Sequence, residues 1–400
     1  MQHSTNGTSD APHVALLIET SKAFGRSLLL GVSRYSRTYG PWSIYFDEFG
    51  PDSKLPRWLK TWKGDGIIMR ARNRDMADSV MELGVPVVDT LHQVAKLEVS
   101  GVYTDDALIA RAAADHLLSL RIQNFAYVGV ERASWSSRRG DAFASHLRNA
   151  GFHCHVYSPI SRRRFAESWE GGQEDLAAWL GELPKPVGLL AGHDMRAMCV
   201  FDACRRAEIS VPEQVAIVGV DNDDVICNMA DPPLTSIPHR GEQIGYEAAA
   251  LLARLMAGES KQPESITIPP LSLVVRRSTD VVAIDDPLMA VALKIIRNCN
   301  GDIGVDDLAR RLGLSRRALE RKFADTIAVS PHDQIISERL RRAKMLLQDT
   351  DFALEAVAQK LKMSSAAYLS TFFKKLTGQT PGEFRNECRL STSGDVFYPR

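Results

Sequence analysis

From His13 to about Asp280, short runs of consecutive apolar residues alternate with amphipathic stretches. His13–Glu19 (HVALLIE), Trp42–Phe46, Asp65–Met69, Val85–Asp89, Phe125–Val130, Val187–Ala191 and Val215–Asp221 predict strands. The intervening Phe24–Thr38, Asp105–Leu120, Arg138–Ala150, Asp194–Ala207 and Arg240–Ala257 predict helices, with Trp58 and Trp62 on a further one. Runs that are apolar throughout, rather than at every second position, belong to strands covered on both faces. That calls for parallel sheet flanked by helices. With weaker candidates the strands number about nine or ten, more than one open sheet of common size, so two α/β lobes are expected.

The pattern changes after Val281–Pro287 (VVAIDDP). From Leu288 to Arg389 only helical periodicity remains. In Val305–Phe323, Asp306 or Asp307 starts a helix with Leu308, Ala309 and Leu312 on its apolar face. Gly313 permits a tight turn, and Ser315 caps a second helix whose Leu319 and Phe323 face inward. Arg316, Arg317, Glu320 and Arg321 then point outward from its first turns. A helix-turn-helix places such residues in a major groove, where Arg pairs with guanine and Glu accepts from cytosine. The arrangement returns about fifty residues later in Ala353–Lys375, which fits a repeated unit. There Ser364 is the expected cap, Tyr368, Leu369 and Phe372 the inward residues, and Ser365, Ala366, Ser370, Thr371 and Lys374 the outward DNA-facing set. Gln334–Gln348 predicts a long helix holding the two units apart, so that they reach successive grooves of duplex DNA about 34 Å apart.

Charge sharpens this division. The 400 residues carry 49 Lys and Arg against 49 Asp and Glu. Residues 286–390 hold 18 against 13, a net of +5, which leaves −5 for the rest. The boundaries read as a polar tail (1–12), an α/β sensor (13–280), a linker (281–287), an all-α DNA-binding domain (288–390) and a second tail (391–400). The N-terminus lacks the apolar core of an export signal, and no apolar run approaches the roughly 20 residues needed to span a bilayer. A cytoplasmic protein with no membrane association is expected. Six scattered cysteines contain no C-x-x-C pair, so neither a metal site nor a disulfide framework is indicated, and no cofactor is expected.

Ligands of open α/β sheets sit at the carboxyl ends of strands. Those ends carry Glu19-Thr20-Ser21, His193-Asp194 and Asp221-Asn222-Asp223-Asp224, while Arg138 and Arg139 open a helix in the second lobe. Carboxylates, amides and a guanidinium suit a neutral polyol, whose hydroxyls both donate and accept. Asp194 serves equally well as a cap of the helix that follows, while Asp221 fits a cleft between the two lobes better than a cap; spacing alone leaves both roles open. Two rival classes share parts of this pattern. A sugar-transport binding protein needs an export signal and has no use for the last hundred residues. A sugar-acting enzyme holding Mg²⁺ at Asp221–Asp224 lacks a Gly-rich phosphate loop after the first strand.

The strings VGLLAGHD, VPEQVAIVGVDND and LVVRRST, with the Arg139-containing turn before DAFASHL, resemble the sensor domain of lactose-repressor-type regulators over residues 13–280. The resemblance implies two lobes closing on a sugar, with Arg139 and Asp221 as hydroxyl binders; His193 stands where the lactose repressor has Asn. LARRLGLSRRALERKF, ERLRRAKMLL and YLSTFFKKLTGQTPGEFR resemble the AraC-type DNA-binding domain. Against that family, Lys362 replaces a turn glycine, where a left-handed residue costs about 1–2 kcal/mol. Ala328 replaces another usual glycine and Thr371 a frequent Arg. The order of the domains, with Pro238–Leu252 (PHRGEQIGYEAAALL), is similar to the xylose operon regulators. That resemblance implies D-xylose as effector, xylose-use genes as targets, a homodimer, and RNA polymerase as a further partner.

Overall fold

The computed structural model describes residues 11–48, 55–158, 169–259, 262–280 and 286–392. The chain divides into two compact units, Met1–Ala283 and Ile284–Arg400. Of the expected tails and linker, residues 1–10, 281–285 and 393–400 lie outside the described residues.

The first unit holds two all-parallel sheets, as the continuous apolar runs require. One consists of β1 (His13–Leu17), β2 (Ser43–Phe46), β3 (Gly66–Met69), β4 (Val87–Asp89), β5 (Ser100–Thr104) and β11 (Ser265–Ile268), in the order β11-β5-β4-β3-β1-β2. The other consists of β6 (Asn124–Val128), β7 (Cys154–Val156), β8 (Val187–Ala191), β9 (Val215–Asp221) and β10 (Thr235–Pro238), in the order β10-β9-β8-β6-β7. Each sheet with its helices forms one lobe.

The chain passes between lobes three times. It leaves lobe one after β5 to form helix Asp106–Ser119 on lobe two, and returns after β10 through His239 and Arg240 into helix Gly241–Met256. After β11 it crosses again, and Val274 bridges antiparallel to Ser236. The returning helix packs along helix Ala23–Tyr39 so closely that glycine is required at both contacts. A Cβ on Gly31 would stand 2.0 Å from the Glu242 carbonyl oxygen, and one on Gly245 would stand 2.0 Å from that of Leu28.

Several local expectations change. Trp58 lies in a 3-10 turn, Arg57–Thr61, and Trp62 follows it; no α-helix forms there. The helix expected to open at Arg138 starts at Ser134, which puts Arg138 and Arg139 in its second turn. Asp286 caps helix Pro287–Asn298, accepting from Leu288 N and Met289 N, so residues 286–287 belong to that helix and not to a linker.

The second unit is helical throughout its described residues, and its internal repeat is regular. Helix Arg316–Ile327 corresponds to helix Ala366–Thr377 fifty residues on. Left-handed Ala328 (φ 54°) corresponds to Gly378 (φ 81°). Ser330 and Asp333 form a capping pair before helix Pro331–Asp349, as Thr380 and Glu383 do before helix Pro381–Thr392. Helix Pro331–Asp349 contributes Ile335 to the core around Phe323, and Ala343, Leu346 and Leu347 to the core around Phe373. At 19 residues it spans about 28 Å, and it ties both cores to one rigid rod.

Candidate functional site

The carboxyl ends of the strands of both lobes face a cavity of about 260 Å³, below the ~300–1,000 Å³ typical of drug-sized ligands and on the scale of a monosaccharide. Four expected residues line it: Glu19 beyond β1, Arg139, His193 and Asp221.

Arg139 is buried. Its Nη2 pairs with Asp106 Oδ1 at 2.9 Å, its Nη1 donates to the Gly192 carbonyl, and its Nε has no hydrogen-bond partner. Its guanidinium carbon lies 5.1 Å from the Trp135 ring centroid, and Trp135 stacks on His193 at 5.7 Å. Together they form a wall with an apolar ring face and donors at its edges. His193 also caps helix Asp194–Arg206: its Nδ1 accepts from Arg196 N at 2.9 Å, so the neutral ring carries its proton on Nε2. Burial drives the His193 pKa down to about 4, so the ring is neutral at pH 7.

Asp221 ends β9 with φ at 110°, and Asn222 follows at 51°, two left-handed residues in succession. This turn aims the Asp221 carboxylate at the cavity, where Oδ1 lies 3.0 Å from His239 Nε2. Burial would raise its pKa, but the His239 hydrogen bond and the nearby His193 and Arg139 together hold it below the ordinary value. An ionised carboxylate accepts only, as hydroxyl donors require.

Asp194 and Asn222 do not line the cavity. Asp194 is buried behind the turn, where it accepts from Ser236 Oγ (2.6 Å), Asp223 N (2.8 Å) and Cys227 Sγ (3.5 Å). Burial and then the Asp221 charge raise its pKa. Asn222 Oδ1 accepts from Arg276 Nη1 at 2.8 Å. The acidic string Asp221–Asp224 is likewise used locally. Asp223 caps helix Asp224–Met229 and Asp224 faces Arg276, and among the described residues no group of His, Cys, Asp or Glu is arranged to hold a metal ion.

Sequence reasoning missed Arg70, Trp135 and His239, all of which line the cavity. Arg70 directly follows β3, where the carboxyl-end rule applies, and lies 4.9 Å over Phe24. Gln93 was also missed. From lobe one its side chain donates to the Arg132 carbonyl (2.6 Å) and accepts from Ser134 N (2.8 Å), a clasp across the cleft.

In the second unit, Ser315 caps its helix as expected, and Arg316, Arg317, Glu320 and Arg321 are exposed. Glu320 is engaged: Arg316 Nε donates to it at 2.9 Å, and Asp306 approaches the same guanidinium at 3.3 Å. Helix Val305–Arg311 is preceded by Gly304, with neither Asp306 nor Asp307 capping it. In the repeat, Ser365 and not Ser364 is the cap, accepting from Tyr368 N at 3.1 Å. Phe373 fills the core position expected of Phe372, and Tyr368 is exposed, because the helix starts one residue later than expected. Ser365, Thr371 and Lys374 are exposed, Ala366 and Ser370 half-buried, and Thr371 Oγ1 donates to its own helix at Ala367 O. Lys362 is left-handed (φ 51°) as its position requires, and its Nζ lies 2.6 Å from Asp302 Oδ2 in the loop before helix Val305–Arg311.

Three family descriptions match in sequence: an XylR N-terminal domain over residues 13–105, a periplasmic binding protein-like domain over 114–279, and a helix-turn-helix domain over 308–387. The xylose operon regulatory protein of Escherichia coli (strain K12) is 30% identical over 383 residues, covering 93% of this chain and 96% of that one. Its namesake in Haemophilus influenzae (strain ATCC 51907 / DSM 11121 / KW20 / Rd) is 29% identical over 386 residues, covering 94% and 98%. A solved structure described as the xylose-binding transcription activator XylR superposes with a TM-score of 0.81 at 28% identity, covering 95% of this chain and 99% of that one.

Proposed function

The chain belongs to the family of xylose operon regulatory proteins, and from that premise we propose that it is a D-xylose-responsive activator of xylose-utilisation genes. One observation carries the effector reading. Glu19, Arg139, His193 and Asp221, far apart in sequence, meet at one cavity of monosaccharide scale in a chain that also holds two helix-turn-helix units. The ionised Asp221 takes hydroxyl protons, the neutral His193 and the Arg139 guanidinium donate, and Trp135 offers an apolar face to the sugar ring. Asp194 and Asn222 support this set from behind.

In this reading the sugar draws the lobes together, with Gln93 and Ser134 meeting at the clasp, and the linker carries the change to the DNA-binding domain. The sugar acts through its differential affinity for open and closed states. Residues 13–280 form the sensor and 286–390 the reader of duplex DNA. The protein works as a homodimer in the cytoplasm, engages RNA polymerase at its promoters, and performs no catalytic step.

A thermal-shift screen of pentoses and hexoses tests the effector. D-xylose at a hundredfold its Kd stabilises the protein by about 2.7 kcal/mol. A shift with another sugar and none with D-xylose overturns the assignment.

A further inference from the structure

We propose that Arg276 transmits sugar occupancy from the Asp221–Asn222 turn to the segment that leads into the DNA-binding unit. It is a positioning residue, and the proposal rests on the sugar reading above.

The side chain of Arg276 reaches that turn from the strap. Nη1 donates to Asn222 Oδ1 (2.8 Å) and to the Leu234 carbonyl (3.0 Å), while Nη2 lies 3.7 Å from Asp224 Oδ1. One guanidinium thus ties Asn222 of the turn to the residue before β10, with Asp224 of the next helix close by. A lysine, with a compact ammonium in place of the planar fork, cannot reproduce that grip.

The backbone of Arg276 belongs to the strap that leaves lobe two for the second unit. Its N–H donates to Thr235 Oγ1 at 2.8 Å, and Thr235 Oγ1 lies 2.8 Å from Thr279 Oγ1. Ser278 Oγ donates to the Ile217 carbonyl at 2.6 Å, and Thr235 N donates to Ser278 Oγ at 2.8 Å. Ser278 and Thr279 are buried, so the strap is fixed on β9 and β10 at its far end. The guanidinium of Arg276 links the strap to the ligand side. The second unit begins at Ile284, five residues after Thr279.

The turn it grips is the one part of β9 in an unfavourable conformation. Two consecutive left-handed residues other than glycine persist only where surrounding bonds fix them. Asn222 N donates to Ser236 Oγ at 3.0 Å, and that hydroxyl donates to Asp194, so the turn is held from behind at one point and from the strap at another. A sugar hydroxyl bound to Asp221 displaces the adjacent peptide, and Asn222 passes the displacement to the guanidinium. Coupling by this route is a free energy between two sites, and removing the link lowers it without emptying either site.

The test uses the full chain, D-xylose, and a DNA duplex selected by the wild type from a random-sequence pool. Arg276→Lys and Asn222→Ala are compared with wild type for xylose affinity by calorimetry and for DNA affinity with and without xylose. The proposal expects R276K to bind xylose within about threefold of wild type and sugar-free DNA within about twofold. The xylose-dependent change in DNA affinity, about 5–150-fold for a typical allosteric coupling, should fall below about twofold in both variants. An undiminished xylose response in both variants overturns the proposal. So does a loss of xylose binding in proportion to the loss of response, because Arg276 then only builds the site. If ligand-free melting shows R276K unfolded, N222A decides alone. Failure of the wild type to bind any sugar is seen separately in the first titration, and it overturns the sugar reading and this proposal together.

Discussion

His239 Nε2 lies 3.0 Å from Asp221 Oδ1, which joins a strand end of lobe two to the crossover between the lobes. Asp221 closes β9 of lobe two, while His239 sits on the crossover that carries the chain back to lobe one. The carboxylate facing the cavity is therefore oriented by a residue of the crossover between the lobes.

Replacing Asp221 with Ala should abolish stabilisation by D-xylose while leaving sugar-free DNA affinity within about twofold. His239→Phe keeps the ring packing on Phe24 but loses the hydrogen bond to a charged partner, and should weaken xylose binding about tenfold or more. Normal xylose stabilisation of D221A would remove Asp221 from the site.

Arg138 and Arg139 both reach Asp106, at 3.1 and 2.9 Å, but only Arg139 is buried with it. Arg139→Ala leaves a buried carboxylate short of its main partner and should cost about 3 kcal/mol of unfolding free energy. Arg138→Ala, at the edge of the cleft, should cost about 1 kcal/mol or less. Urea denaturation of both variants measures the difference, and equal losses would contradict the burial argument.

His193 titrates in the unfolded chain near pH 6.5 and in the folded protein near 4. Its contribution to stability is present above pH 6.5 and is lost as pH falls towards 4, because the unfolded state takes up the proton first. Asp194, with its pKa raised, works in the opposite sense, so the effect is read as a difference between proteins. Relative to His193→Asn, which preserves a helix cap, the wild type should lose about 2 kcal/mol between pH 7 and pH 5. A difference that stays constant with pH would show that His193 is not held neutral by burial.

In the DNA-binding unit, Arg317→Ala should relax base preference at one position by about 1–3 kcal/mol, whereas Ser365→Ala should leave preference nearly unchanged. Glu320→Gln should act like a partial loss of Arg316, because its carboxylate holds that guanidinium. Lys362→Gly relieves a left-handed residue but breaks the contact to Asp302 in the loop before the first helix-turn-helix unit. It should raise thermal stability and lower DNA affinity. Selection from random duplexes reads the preferences directly, and equal relaxation by R317A and S365A would contradict the assignment of base discrimination to the first helix-turn-helix unit.

The central strands and both helix-turn-helix units were legible because burial on both faces, or on one helical stripe, writes itself as an apolar period. β8 and β9 fall on the expected residues. β10 was not legible, because two of its buried residues are Thr235 and Ser236, whose hydroxyls are used in hydrogen bonds. The site was half legible for a related reason. The carboxyl-end rule identifies which loops face the cavity, and it located Glu19, His193 and Asp221. It does not say which of two adjacent polar residues points inward. Asp194 turns into the protein because Ser236 and Asp223 N lie behind it, and Asn222 turns to Arg276, a partner 54 positions away. His239 carried no pattern of its own, since its role comes from a crossover that only the assembled lobes reveal.

The central claim is that sugar in the cavity between the lobes governs DNA binding, and fluorescence anisotropy of a selected duplex, titrated with the full chain with and without saturating D-xylose, tests it most directly. The wild type is expected to bind the duplex at least about fivefold more tightly with D-xylose, and Asp221→Ala to show no change. Wild-type affinity within about twofold in the presence and absence of D-xylose would contradict it.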